Sequence, residues 1–121
     1  MRNPTKRIEK AWGHEQIHFN NEHYCLKELV FSRRGNDFSM HFHANKRESW
    51  LVIKGSFMLE VIETGTADIR RMPLTVGGRV DIVPLMPHKL TALEDDSVIM
   101  EVSTPDHAED NYRVAPGMSQ R

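Results

Sequence analysis

The chain has 121 residues, with 16 basic and 17 acidic side chains and a formal net charge of -1. This length suits one domain with a single modest core, and the balanced charge gives no general attraction to nucleic acid or to an anionic membrane. No apolar run approaches the roughly 20 residues of a membrane-spanning helix, and residues 1–10 lack the apolar centre of a signal peptide. We therefore expect a cytoplasmic protein with one domain, residues 1–121, that binds neither nucleic acid nor membrane.

Short strands separated by turns are predicted along most of the chain. The candidate segments are rich in β-branched and aromatic residues, and turns containing Gly, Pro, Asn or Asp separate them. The predicted strands are residues 15–19, 24–32, 38–43, 49–54, 57–63, 67–72, 79–83, 88–92 and 97–102. No segment keeps a helical apolar period for ten residues. This rhythm predicts an all-β fold, an antiparallel sandwich or barrel of the jelly-roll type.

The two ends of the chain lie outside this rhythm. Residues 1–11 are basic and contain a proline, so we expect an N-terminal arm that lies over the barrel or over a partner subunit. Residues 106–121 form a polar C-terminal tail whose last residues we expect to be loose. Cys25 is the single cysteine, which excludes an intrachain disulfide and predicts a buried thiol.

Two histidines, a glutamate and two glycines form the most informative pattern, Gly35-x5-His41-x-His43-x4-Glu48-x6-Gly55. Side chains alternate on a strand, so His41 and His43 would share one face about 6.6 Å apart and could bind one ion. Glu48 opens the next predicted strand after a short turn over residues 44–47. The spacing therefore predicts a metal site on two neighbouring strands.

A fourth candidate ligand, His88, follows His43 by 45 residues, after a turn rich in proline. Packed or solvated histidines are the competing interpretation, because the chain has seven histidines and chance pairs are expected. The joint pattern of histidines, spaced glutamate and glycines favours a metal site. Three imidazoles and one carboxylate suit one divalent ion of iron, manganese, cobalt, nickel or zinc.

These motifs resemble the two signatures of the cupin superfamily. The first run matches in order and in spacing, whereas the second, Gly78-x5-Pro84-x3-His88, departs from its signature. Met86 stands where a glycine is usual, Ala92 replaces a frequent asparagine, and the spacing from proline to histidine is one residue short. The resemblance implies a cupin-type double-stranded β-helix and supports the four ligands named above.

A narrower resemblance covers most of the chain and points to small cupins related to the C-terminal domain of type II mannose-6-phosphate isomerases. The segments that show this resemblance are Trp12-Gly13 and residues 26–29, 48–50, 101–105 and 109–113. It implies interconversion of mannose 6-phosphate and fructose 6-phosphate with a divalent metal. It also implies Lys27 and Arg113 as contacts of the sugar phosphate, and a homodimer.

Isomerisation also needs a base that moves a proton between neighbouring carbons. The candidates are Glu48, Lys27, Glu101 and Glu28. Both faces of the strand that carries Lys27 and Glu28 contain apolar residues, so solvated charges are the competing interpretation for these side chains and for Glu101. Two other functions stay open: an iron-dependent cupin dioxygenase or other oxidoreductase, and a non-catalytic cupin that binds metal and sugar.

Overall fold

The computed structural model describes residues 5–121, and β-strands make up most of this part of the chain. The strands are β1 Lys6–Lys10, β2 Gly13–Asn20, β3 Cys25–Phe31, β4 Met40–Phe42, β5 Glu48–Lys54, β6 Phe57–Ile62, β7 Ile69–Leu74, β8 Arg79–Ile82, β9 His88–Ala92, β10 Ser97–Ser103 and β11 Tyr112–Ala115. One short 3-10 helix, Met118–Gln120, follows them. Every predicted strand therefore corresponds to an observed one, and two observed strands, β1 and β11, lie in the predicted arm and tail.

Two antiparallel sheets form the barrel. One has the strand order β1-β2-β3-β10-β5-β8 and the other has the order β11-β4-β9-β6-β7. Buried and partly exposed residues alternate along β3, β6, β9 and β10, so one face of each sheet points into the interior. This arrangement confirms the prediction of an all-β jelly-roll fold.

An apolar cluster fills one end of the barrel interior. Phe31 stacks on Trp12 with a centroid separation of 4.5 Å and meets Phe57 edge to face at 5.2 Å. Leu90 and Ile99, from opposite sheets, are fully buried in the same cluster. Burial of each such side chain contributes about 1.5–3 kcal/mol to folding, and this cluster is the core that holds the two sheets together.

Part of the predicted arm and part of the predicted tail belong to the sheets. Residues 6–10 pair with β2, and residues 112–115 pair with β4. The tail then continues along Asp37, whose Oδ1 accepts hydrogen bonds from Met118 N at 2.9 Å and from Arg121 Nη2 at 2.8 Å. The tail therefore contacts a buried carboxylate, and the looseness of its final residues stays a prediction. The part of the predicted arm over residues 1–4 lies outside the described residues.

Backbone conformation explains why the first motif has glycine at two positions. Gly35 and Gly55 have φ angles of +88° and +74°, which residues with a Cβ rarely adopt. At Gly55, in the turn between β5 and β6, a Cβ would also lie 2.1 Å from Ser97 Oγ. Glycine is therefore required where this turn closes against β10.

Candidate metal centre

Two rows of side chains face each other toward the other end of the interior, where Trp12 and Trp50 of the apolar cluster also line the space between them. In the five-stranded sheet, Arg113 of β11 lies opposite His41 of β4, and His41 lies opposite His88 of β9. In the six-stranded sheet, Lys27 of β3 lies opposite Glu101 of β10. All five side chains line one pocket of about 290 Å³. The pocket thus takes imidazoles from one sheet and paired charges from the other.

His41, His43 and His88 each bring a ring nitrogen within 4.8 Å of the others. In all three rings Nδ1 lies at hydrogen-bond distance from a backbone carbonyl oxygen, which can only accept. The acceptors are Ser39 at 2.7 Å for His41, Asp110 at 2.5 Å for His43 and Met86 at 2.9 Å for His88. Each Nδ1 therefore carries the proton in the neutral ring, and each Nε2 is left with a free lone pair, as a metal ligand requires.

Glu48 lies beside these rings, at the start of β5. Its Oε2 is 3.4 Å from His43 Nε2 and 3.3 Å from His88 Nε2. Within residues 5–121, Glu48 Oε2 and His88 Nε2 are buried side-chain atoms without a hydrogen-bond partner. Two acceptors that face each other without a donor cost free energy, and a cation between them removes that cost. The donor set fits a divalent ion.

The pKa values of two histidines favour the neutral rings that metal binding needs. Burial, followed by the proximity of the His88 ring, lowers the pKa of His41 to about 3, against a weaker opposing effect of its hydrogen bond to Ser39. Burial also lowers the pKa of His43, although Glu48 opposes this shift. Both rings therefore stay unprotonated at neutral pH, so no proton has to leave before an ion binds.

A network of buried charges adjoins the histidines. Lys46 Nζ lies 3.2 Å from Glu101 Oε2 and 3.1 Å from Asp106 Oδ1. Lys27 Nζ lies 2.8 Å from Glu15 Oε1, 3.3 Å from Asp106 Oδ2 and 3.7 Å from Glu101 Oε2. Burial alone would lower the pKa of each lysine, but the carboxylates, Glu101 first among them, raise both pKa values above the ordinary range. Both lysines therefore remain charged.

The two buried carboxyl groups of this network titrate in opposite directions. Burial and then the negative charge of Glu48 raise the pKa of Glu101 to about 8, although Lys27 and Lys46 oppose the shift. Burial would raise the pKa of Glu48 too, but the adjacent His88 ring and the charge of Lys46 lower it well below the usual range. Environments that separate two carboxyl groups in this way give them different roles, with Glu48 charged and Glu101 able to exchange a proton.

The residues predicted to contact substrate or to act as a base differ in which face of the sheet they lie on. Lys27 and Glu101 point inward and are 5% and 2% exposed, so the interpretation as solvated charges is wrong for them. Glu28 lies on the outer face, where it is half-buried and its Oε1 lies 2.8 Å from His18 Nε2. Arg113 is exposed and lines the pocket mouth. Catalytic and substrate-binding roles for Lys27, Glu101 and Arg113 stay predictions.

Sequence reasoning missed three residues that shape the site, namely Lys46, Asp106 and Asp110. Lys46 lies in the predicted turn 44–47, yet it is 4% exposed and lies 3.5 Å from Glu48 Oε1. Asp106 and Asp110 lie in the predicted tail. Charged residues in turns and tails are usually solvated, and nothing in their local sequence indicates the long-range pairing that brings them to the site.

No model of a known protein family matches the sequence, and neither does any curated protein. Solved structures do match over nearly the whole chain. The capsular polysaccharide assembling protein CapF from Staphylococcus aureus aligns with a TM-score of 0.79 and 16% identity, covering 94% of this chain and 35% of CapF. Oxalate decarboxylase from Bacillus subtilis aligns with a TM-score of 0.80 and 14% identity, covering 91% of this chain and 30% of that enzyme.

A second CapF structure, with the inhibitor 3-isopropenyl-tropolone, aligns with a TM-score of 0.80 and 17% identity, covering 94% of this chain and 35% of that protein. The chain thus spans about a third of the length of the structures it matches. At this identity the likeness establishes the fold alone, which is the cupin-type jelly roll. The narrower resemblance to mannose-6-phosphate isomerases stays a prediction. Within residues 5–121, no helix is long and apolar enough to cross a membrane.

Proposed function

We propose that this protein is a metal-dependent aldose-ketose isomerase that acts on a sugar phosphate. One observation carries the proposal: three free Nε2 lone pairs and Glu48 converge in a pocket whose opposite wall holds Glu101 between two buried lysines. The pocket thus combines a set of metal ligands with a carboxyl group suited to proton transfer. The sequence resemblance described above supplies the reaction type.

In this proposal His41, His43, His88 and Glu48 hold one divalent ion of zinc, manganese, iron, nickel or cobalt. When bound, the ion would act as a Lewis acid that polarises the carbonyl oxygen of the open-chain sugar. The remaining chemistry belongs to the side chains around it.

Glu101 is the proposed base. Its carboxylate takes the proton from the carbon next to the carbonyl and returns it to the former carbonyl carbon, while a hydroxyl proton moves between the two oxygens. Lys27 and Lys46 lie within 3.7 Å and 3.2 Å of Glu101 Oε2. They favour the charged carboxylate that must act first, and they hold its orientation. Lys27 also remains a proposed contact of the substrate.

Arg113 is the proposed phosphate contact. It lies on the same face of the sheet as its cross-strand neighbour His41, at the exposed mouth of the pocket. A guanidinium group can donate two parallel hydrogen bonds to a phosphate. A sugar held between Arg113 and the histidines would extend from the mouth to the metal ligands.

The test is proton NMR in deuterated water with mannose 6-phosphate and protein reconstituted with each candidate ion. We expect fructose 6-phosphate with deuterium at the exchanged carbon, and loss of turnover in the variants His88→Ala and Glu101→Gln. Glu28→Gln is the matched control, because Glu28 lies on the outer face of the neighbouring strand β3. If no metal form isomerises any sugar phosphate offered, the proposal fails.

Metal binding can be tested separately from turnover. Tropolones carry two adjacent oxygens that can bind one ion, and such a compound is the inhibitor in one of the similar CapF structures. We expect 3-isopropenyl-tropolone to bind the metal-loaded protein and not the His41→Ala/His43→Ala/His88→Ala variant. Equal binding to both proteins would contradict a chelating centre.

The same donor set also suits oxygen-activating iron, so a dioxygenase is the second candidate. Oxygen uptake by the iron(II) form with a catechol or thiol substrate would favour it over the isomerase. A rise in melting temperature with sugar phosphate but without turnover would instead favour a non-catalytic binding protein. The homodimer implied by the resemblance is testable by gel filtration with light scattering.

A further inference from the structure

The three histidines of the metal centre differ in what orients them. His41 and His88 each donate from Nδ1 to a carbonyl oxygen two residues earlier in the chain, so local backbone geometry orients both rings. His43 donates to the carbonyl oxygen of Asp110, 67 residues away, at 2.5 Å. The orientation of one proposed ligand therefore depends on the C-terminal segment.

The side chain of Asp110 contacts the loop that follows His43. Its Oδ1 accepts from Ala44 N at 2.7 Å, and its Oδ2 accepts from Asn45 N and Lys46 N, each at 3.1 Å. Hydrogen bonds from neutral donors to a carboxylate are stronger than those between neutral groups. Asp110 is 9% exposed, so little water competes for these donors. Three successive N–H groups thus fix the loop on one side chain.

This loop connects two proposed metal ligands. It begins after His43 and ends before Glu48, and it carries Lys46, whose Nζ lies 3.5 Å from Glu48 Oε1 and 3.2 Å from Glu101 Oε2. A change in the path of residues 44–46 would therefore move a ligand and the buried lysine together.

We propose that Asp110 is a positioning residue of the metal centre. Its carbonyl oxygen holds His43 in the Nδ1–H tautomer with Nε2 free for the ion, and its carboxylate fixes the loop that places Lys46 and Glu48. The inference rests on the proposed function in that it takes the histidines as metal ligands. Groups that orient a ligand in this way affect metal affinity typically by 10–100-fold.

Asp37 provides a matched control, because it is a second buried aspartate that holds the same C-terminal segment. Its hydrogen bonds and ion pairs go to Met118, Arg121 and Lys89, and not to a proposed ligand. Asp37 is 5% exposed, close to the value for Asp110. If Asp110 only anchored the tail, the two aspartates would have equivalent effects on metal binding.

The first experiment needs no variant at Asp110. Long-range ¹⁵N NMR of the metal-free wild-type protein, with the His43 signals assigned from a His43→Gln sample, should show protonated Nδ1 and bare Nε2. A neutral His43 ring protonated at Nε2 would overturn the proposal. This result stands whether or not Asp110 variants fold.

The second experiment compares Asp110→Asn with Asp37→Asn in the full chain. The amide introduced by Asp110→Asn would keep one acceptor and set an NH2 group against backbone donors. We expect the dissociation constant of this variant for cobalt(II), measured by competition with a coloured chelator, to rise 10–100-fold, with a shifted cobalt absorption spectrum at saturation. Asp37→Asn should stay within threefold of wild type with an unchanged spectrum, even with a lower melting temperature.

The outcomes separate the two proposals. A wild-type protein that binds no cobalt overturns the metal centre itself. If the wild type binds cobalt and Asp110→Asn binds it within threefold and with the same spectrum, only the role of Asp110 is overturned. Equal weakening by the two aspartate variants would likewise reduce Asp110 to an anchor of the tail.

Discussion

The two ends of the barrel interior are built from the same strands and serve opposite purposes. On β3 the inward positions run from Lys27 to Phe31, and on β10 they run from Glu101 to Ile99 and Ser97. The apolar end contains stacked rings and fully buried aliphatic side chains. The charged end contains the three buried side-chain atoms that lack a hydrogen-bond partner within residues 5–121. The fold gains its stability at one end and holds buried charges and histidines at the other.

The largest expected effect tests the apolar end. Phe31→Ala should lower the free energy of unfolding by about 3–5 kcal/mol, because it removes a ring with 0% exposure that packs between Trp12 and Phe57. Urea denaturation measures this change. Cobalt affinity of the folded fraction should stay within threefold of wild type. A loss of metal binding as large as that of a histidine variant would contradict the division between the two ends.

The second prediction concerns the charged end and the stability that a bound divalent metal ion adds. A divalent metal at 100 times its dissociation constant should stabilise the wild type by about 2.7 kcal/mol, because it binds the folded state only. Chemical denaturation with and without metal measures the gain. The gain should persist in Phe31→Leu and vanish in His88→Ala. A gain that survives His88→Ala would place the ion outside this centre.

A smaller effect concerns pH. The pKa of Glu101 is raised in the folded protein, so the folded state keeps a proton that the unfolded chain has lost, and this stability disappears as pH rises toward the folded pKa of about 8. His41 and His43 have lowered pKa values and act in the opposite direction, but only below their ordinary pKa of 6.5. Between pH 6.5 and 8, metal-free protein should therefore lose at most about 1.4 kcal/mol of stability per pH unit.

The comparison for this pH effect is Glu101→Gln, whose free energy of unfolding should be nearly constant over the same interval. Glu28→Gln should keep the wild-type slope, because Glu28 lies on the outer face. Urea denaturation at several pH values in the presence of a chelator provides the measurement. A slope shared by all three proteins would show that Glu101 is not the group responsible.

The smallest effect on stability is expected at the pocket mouth. Arg113→Met should change the free energy of unfolding by no more than about 0.5 kcal/mol, because Arg113 is exposed. In the isomerase assay the same variant should raise KM for the sugar phosphate, whereas Arg70→Met, on an exposed strand of the same sheet, should not. Equal KM values for the two variants would remove Arg113 from the proposed substrate contacts.

Local patterns predicted most of the strands and the histidines that the structure brings together. Alternation on a strand brings His41 and His43 together. The motif glycines Gly35 and Gly55 mark two positions where the backbone has a positive φ angle. The two missed strands, β1 and β11, have weak patterns because they are short edge strands with largely exposed side chains. Pairing with β2 and β4 stabilises them, and that pairing has no signature within either segment.

The sequence by itself determined a β-rich chain with a cluster of candidate metal ligands, because strand alternation and turn residues are local properties. Only the tertiary structure decided that Lys27 and Glu101 face inward, since both faces of β3 carry apolar residues and closure of the barrel selects one of them. It also decided that Asp110 orients His43 and that Lys46 joins the site. Those contacts join residues more than 50 positions apart, and their burial is settled when the tail closes over the pocket.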